Sequence, residues 1–223
     1  APTACARPAG VSTAASYWVV LRILGEMARY GRRRRSGSLG PASLIVNADD
    51  FGLCESVNRG IARAFDQGIV TSASLLPTGE AFDQAVELAR ERPALDLGIH
   101  LSLIQTGPVS PPARIPTLVS SSGRLHADWR AFLSRYARKA IRPADIETEF
   151  RSQIAKALAT GLSFSHLDSH QHLHMLPGGL PIVVRLAGEY GIGAVIYPDQ
   201  ARCAGARPGR RGGHVTDGRI VRV

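Results

Sequence analysis

The sequence predicts an α/β fold with parallel strands, either a barrel left incomplete or an open sheet. Three observations predict it. From Ser43 to Tyr197 short apolar runs alternate with amphipathic stretches, the signature of parallel strands joined by right-handed helical crossovers. Polar residues able to do chemistry follow several of the apolar runs directly, where parallel folds keep their reactive groups. After Pro198 the pattern stops, so five predicted strands leave a parallel barrel unclosed.

The elements follow in order. Leu44-Ile45-Val46 reads as a buried strand ending at Asn47. Val57, Ile61, Ala64 and Phe65 recur at helical spacing until Gly68, and Ile69 to Leu76 reads as a second strand. Phe82, Ala85, Val86 and Ala89 mark a helix ending before Pro93, and Leu95 to Leu101 is a third strand. A loop rich in Pro, Gly and Ser covers 104–125. Trp129, Phe132, Leu133 and Tyr136 share one face of the next helix. Ile146, Phe150, Ile154 and Leu158 recur every four residues in another, with Pro143 near its first turn, where a missing N–H does no harm. Phe164 to Ser169 is a strand, Leu180 to Tyr190 a helix and Gly193 to Tyr197 the last strand of the series. Beyond it only Arg219 to Val223 could make a short strand.

Composition narrows the function classes. The 223 residues are 44% hydrophobic, enough to bury a sizeable core and to exclude a wholly disordered chain. Cys5, Cys54 and Cys203 are odd in number and far apart, which argues against a disulfide framework and a four-cysteine zinc site. The net charge of +9 suggests nucleic acid until it is located. Residues 1–42 carry seven Arg against one acid and residues 198–223 six Arg against two Asp, whereas 43–197 hold 14 basic and 15 acidic residues. The middle is therefore near neutral and no nucleic-acid partner is expected for it. We divide the chain into an Arg-rich, flexible extension (1–42), a folded domain (43–197) and an Arg/Gly-rich tail (198–223) expected to be disordered or aberrant. The apolar run from Tyr17 to Leu24 is interrupted by Arg22 and falls short of the roughly 20 residues a membrane span needs, so no transmembrane span is expected.

Three places carry metal-type ligands: Asn47-Ala48-Asp49-Asp50-Phe51-Gly52, Gly98-Ile99-His100, and His166 to His174, which holds four of the seven histidines in nine residues. Asp49-Asp50 alone could be no more than a helix cap, and His100 alone a half-buried core histidine. Four imidazoles in close sequence have no core-packing rationale. His166, Asp168 and His170 are two apart, so an extended strand would turn all three to one face as a ligand set with open positions. His170 and His174 are four apart and could bind a metal from a helix, but the zinc-protease pattern needs Glu where this chain has Gln171. Adjacent Asp49 and Asp50 can divide the labour, one on the metal and the other taking a proton from water.

Leu44 to Gly52, Gly68 to Ser74, Gly98-Ile99-His100-Leu101 and His166 to Met175 together resemble the YdjC-like carbohydrate deacetylases, in the right order over 43–197. The resemblance implies an incomplete (β/α) barrel and metal-dependent removal of acetyl groups from N-acetylated amino sugars or oligosaccharides. By position it implies that Asp50, His100 and His170 hold one divalent ion and that Asp49 is the general base, with His166, Asp168, His172 and His174 as outer partners of the ligands or as substrate contacts. Imidazole with carboxylate suits zinc, and equally manganese, cobalt, nickel or magnesium; magnesium or zinc is expected. A cytoplasmic location is expected separately, with the reading of the chain as a hydrolase. The family continues past Tyr197 with further barrel elements and a late His-Pro-Gly motif whose histidine would protonate the leaving amine. Here the only late histidine, His214, is followed by Val215, and that role is not carried over. The tail reads as a truncation or a shifted frame, and on that reading the chain is weakly active or inactive and exposes a sheet edge that a homodimer would cover. Two other readings remain open at this point: a metal-dependent hydrolase of another amide or a phosphoester, and a binder of nucleic acid or acidic surfaces through the Arg-rich ends.

Overall fold

In the computed structural model the described residues are 45–199 and 217–222, so the extension expected over 1–42 and most of the tail, His214 included, lie outside them. Strands β1 (Asn47–Phe51), β2 (Ser72–Leu75), β3 (Asp96–Leu101), β4 (His166–Ser169) and β5 (Ala194–Asp199) pair parallel in chain order. Strand β6 (Asp217–Arg222) pairs antiparallel with β5, at the tail position where the sequence allowed one short strand. Helices α1 (Glu55–Gln67), α2 (Phe82–Arg90), α3 (Trp129–Ala137), α4 (Pro143–Leu158) and α5 (Gly179–Glu189) fill the connections. The α/β class and the parallel order are as predicted, and among the described residues the barrel is not closed. No helix among them is long and apolar enough to cross a membrane.

One boundary differs in a way that matters. The first strand does not end at Asn47 but begins there and runs through the polar residues to Phe51. Val46 is bound from the side instead: its N–H donates to Thr71 Oγ1, and its carbonyl accepts from Thr71 N and Ser72 N. The ladder opens at Asn47 opposite Ser72 and loses its regular register between Ala48 and Phe51.

Alternation sorts the two faces of the sheet. Phe51, Ala73, Leu75 and Leu97 pack with Ile61, Phe82, Ala85 and Val86 in one apolar cluster, and Ile99, Leu101, Leu167 and Val195 pack with Phe150, Ile154, Val183 and Leu186 in another. The intervening residues, Ser72, Ser74, Gly98, His100, His166 and Asp168, project from the opposite face. Register then places His100 directly beside Asp168 and Gly98 beside His166.

The long β3–α3 connection is fixed from α4. Fully buried Glu149 accepts from the backbone N–H of Val109 (2.8 Å) and Ser110 (2.9 Å) and from Gln153 Nε2 (2.8 Å). Gln153, also fully buried, exchanges hydrogen bonds with both backbone groups of Ser102. Asp145 accepts from Thr117 N and Oγ1. Burying a carboxylate is tolerable because its acceptor sites are filled. Glu149→Leu strands two backbone donors, each an expected loss of about 1–3 kcal/mol. Urea unfolding that places this variant within 0.5 kcal/mol of the parent, roughly the range of a neutral surface change, would show that Glu149 does not anchor the connection.

Candidate metal centre

The C-terminal ends of β1, β3 and β4 meet at one point. Asp49 and Asp50 come from β1, His100 from β3, and His170 from the first position after β4. Ligand atoms of Asp50, His100 and His170 lie within 4.8 Å of one another, and the same holds for Asp49, His100 and Asp168.

Local backbone conformation explains how these side chains converge. Asp50 has φ 63°, in the left-handed region that turns its side chain away from the strand alternation, and the turn is closed by Leu53 N donating to Asp50 O. Gly52 follows at φ 113°. Fully buried Asn58 holds that turn: its Oδ1 accepts from Gly52 N (2.6 Å), and its Nδ2 donates to Ala81 O and Gln84 Oε1. Gln105, at φ 69°, is also left-handed, as are Gln171 and His172 immediately after His170, at φ 52° and 54°. Such positions cost about 1–3 kcal/mol each and persist where the surroundings over-determine them, commonly at functional sites.

The two imidazoles are oriented from outside. His100 Nδ1–H donates to Asp168 Oδ1 at 2.8 Å, and His100 Nε2 lies 3.3 Å from Asp50 Oδ1. His170 Nε2–H donates to Gln105 Oε1 at 2.8 Å, and His170 Nδ1 lies 2.9 Å from the same Asp50 Oδ1. The rings are nearly perpendicular with centroids 5.7 Å apart. With the outer nitrogens bonded to a carboxylate and an amide carbonyl, both inner nitrogens face one carboxylate oxygen, across a proton or across a cation that displaces it. Three acceptors this close require positive charge between them, and a divalent cation fits that demand with the donor types it prefers. His100 shows the same demand: burial disfavours its charged form, yet Asp168, Asp50 and Asp49 push its pKa up to about 10. Asp50, despite burial, is held well below the usual carboxylate range by His100 and His170.

Asp49 differs from its neighbour. Burial of its carboxyl raises its pKa, with Asp168 and Asp50 adding to the rise, while His100 and a hydrogen bond from Asn47 pull the other way. Asn47 Nδ2 donates to Asp49 Oδ1 and to Ser74 Oγ, both at 2.8 Å. Ser74 Oγ–H in turn donates to Asp168 Oδ2 at 2.7 Å. One polar line thus runs from Asp49 through Asn47 and Ser74 to the carboxylate that holds His100.

The histidine cluster separates into distinct jobs. The same-face set His166, Asp168 and His170 is not assembled, because β4 ends at Ser169 and His170 leaves the alternation. Buried His166 lies against the backbone of β3, bonded to Ser165 Oγ at 2.8 Å; a Cβ on Gly98 would come within 2.1 Å of its Nε2, so any larger residue there would have to displace the ring. His170 and His174 do not share a helical face, since His170–Met175 is a 3₁₀ segment with non-helical Gln171 and His172. Fully buried His174 pairs Nδ1 with Ser169 Oγ at 2.5 Å, and burial lowers its pKa to about 4. His172 is exposed and belongs to neither donor set.

Known proteins with related sequences carry related names. A family model described as YdjC-like protein matches residues 43–220, past the point where the resemblance was read from the sequence. A carbohydrate deacetylase of Brevibacillus brevis is 44% identical over 155 residues, which cover 70% of this chain and 59% of that protein. A chitooligosaccharide deacetylase of Salmonella paratyphi B is 42% identical over 151 residues, covering 67% and 57%. A solved structure from Enterococcus faecalis V583, of a protein named for cellobiose-phosphate cleavage, superposes with a TM-score of 0.64 at 32% identity over 70% of this chain and 59% of that one. The chain thus spans under two thirds of the length of these relatives. A family match over most of the residues, and a shared fold at that level of identity, place this chain in the YdjC-like protein family.

Proposed function

We propose that this chain is the metal-binding part of a carbohydrate deacetylase that removes acetyl groups from N-acetylated amino sugars or oligosaccharides. The observation that carries the reading is the convergence of two outward-anchored imidazoles on Asp50 Oδ1, with Asp49 beside them as a second carboxylate of opposite pKa tendency. Asp50, His100 and His170 would hold one divalent ion. When bound, such an ion supplies polarisation of the acetamide carbonyl and of a water molecule at neutral pH.

The chain's own residues do the rest. Asp168 and Gln105 keep the outer imidazole protons in place, so the ligand nitrogens stay available. Asp49, tethered by Asn47, takes the proton of the attacking water as its oxygen bonds to the acetyl carbon. The C–N bond then breaks, the nitrogen leaves as the amine with a proton returned to it, and acetate is the second product. A raised pKa suits Asp49 to both directions of that transfer.

The test is acetate release from N-acetylated chito-oligosaccharides by the full chain, assayed with added zinc or magnesium and again after chelation. Slow release that chelation abolishes and metal restores is expected. Release unaffected by chelation would remove the metal from the reading, and no release at any metal loading would remove the activity.

A further inference from the structure

Gln105 was not among the candidates read from the sequence, and the geometry gives it a task. It sits in the connection after β3, between buried Ile104 and Thr106. Its own N–H donates to His126 O at 2.8 Å, and Ile104 forms an isolated bridge with His126. The start of the connection is tied to α4 through Ser102 and Gln153, and its middle through Glu149. Gln105 therefore stands on a well-held backbone, in a left-handed conformation that a glutamine rarely adopts. Its carbonyl oxygen accepts the Nε2–H of His170. The other ring nitrogen of His170 faces Asp50, which is left-handed as well, and the two residues following His170 are too. Both partners of this one imidazole are thus supplied from strained backbone positions, an arrangement that runs from observed outliers to function.

Resting on the reading of Asp50, His100 and His170 as a cation site, we propose that Gln105 is a positioning residue that selects the tautomer of His170. A neutral imidazole carries one N–H. Opposite a carboxylate, Nδ1 would by itself keep that proton and donate it to Asp50, and a protonated nitrogen cannot bind a cation. The Gln105 carbonyl offers the proton a second place, on Nε2, and frees the Nδ1 lone pair. Asp168 does the same for His100 from the other side, with the nitrogens reversed: His100 presents Nε2 and His170 presents Nδ1. Two differently anchored rings set the positions of their donor atoms before any ion arrives.

The experiment uses the full chain and zinc alone, with affinity measured by competition against a chromophoric chelator. Gln105→Leu, of similar size without an acceptor, is expected to weaken zinc binding about 10–100-fold, the usual effect of losing an outer partner of a ligating histidine. Gln105→Glu keeps an acceptor and should return affinity to the parent level or above. Long-range ¹H–¹⁵N spectra of the ¹⁵N-histidine-labelled, metal-free parent should show the neutral His170 ring protonated at Nε2, a preference that Gln105→Leu should move toward Nδ1 and that a purely structural role would leave unmoved. Equal zinc affinity in Gln105→Leu and the parent overturns the proposal while leaving the cation site standing. So does a neutral His170 ring protonated at Nδ1 in the metal-free parent, a result that decides the matter even if Gln105→Leu does not fold. A parent chain that binds no zinc overturns both the proposal and the site reading beneath it.

Discussion

Asp49→Asn is expected to keep the bound metal and to lose turnover by about 10²–10⁴-fold, the range that a positioned general base contributes. Asn preserves the shape of the side chain and retains an oxygen able to accept the Asn47 Nδ2–H at the 2.8 Å position, so the polar line through Ser74 to Asp168 need not move. What disappears is the proton acceptor. The structure sharpens the test, because Asp49 belongs to a second donor group with His100 and Asp168 and so has a rival role as a ligand. The two roles separate cleanly. Acetate release lost with metal content unchanged by elemental analysis supports the base; loss of both together puts Asp49 on the ion and transfers the base role elsewhere.

Strand and helix alternation was legible because each β-strand on the helix-covered face contributes apolar residues at every second position, and the helices repeat their own at three and four. The start of β1 was not. Its residues Asn47 and Asp49 are polar and incompletely buried, so an apolar run marks only the residues leading into the strand. Asp50, His100 and His170 were legible as residue types following strands, and the structure brings all three together. Spacing alone misgrouped them, by carrying strand alternation past Ser169 to His170, where the chain has already turned into a 3₁₀ segment with left-handed residues. Asn47 stood within the quoted motif without a job, and Gln105 gave no signal at all: a glutamine in a Pro, Gly and Ser-rich stretch becomes meaningful only once the β3–α3 connection is docked by Glu149 and Gln153.

Removing either imidazole ligand should abolish stoichiometric metal binding, and the two variants should differ in what else they do. His170 is partly exposed and its outer partner is a neutral amide, so His170→Ala removes a donor and leaves little stranded. His100 is buried against Asp168, whose carboxylate would retain Ser74 but lose its imidazole in His100→Ala. Breaking a buried charge pair from one side costs about 3–5 kcal/mol. His100→Ala is therefore expected to lower the metal-free melting temperature markedly, and His170→Ala to leave it near the parent's. Metal then provides the second axis. A ligand at 100 times its Kd stabilises the folded state by about 2.7 kcal/mol, and a domain of this size gains roughly 2–4 °C per kcal/mol. Zinc should thus raise the parent's melting temperature by roughly 5–10 °C and leave both variants unmoved. A parental zinc shift that survives in His170→Ala, with about one ion per chain still present by elemental analysis, would place the ion outside the Asp50, His100 and His170 set.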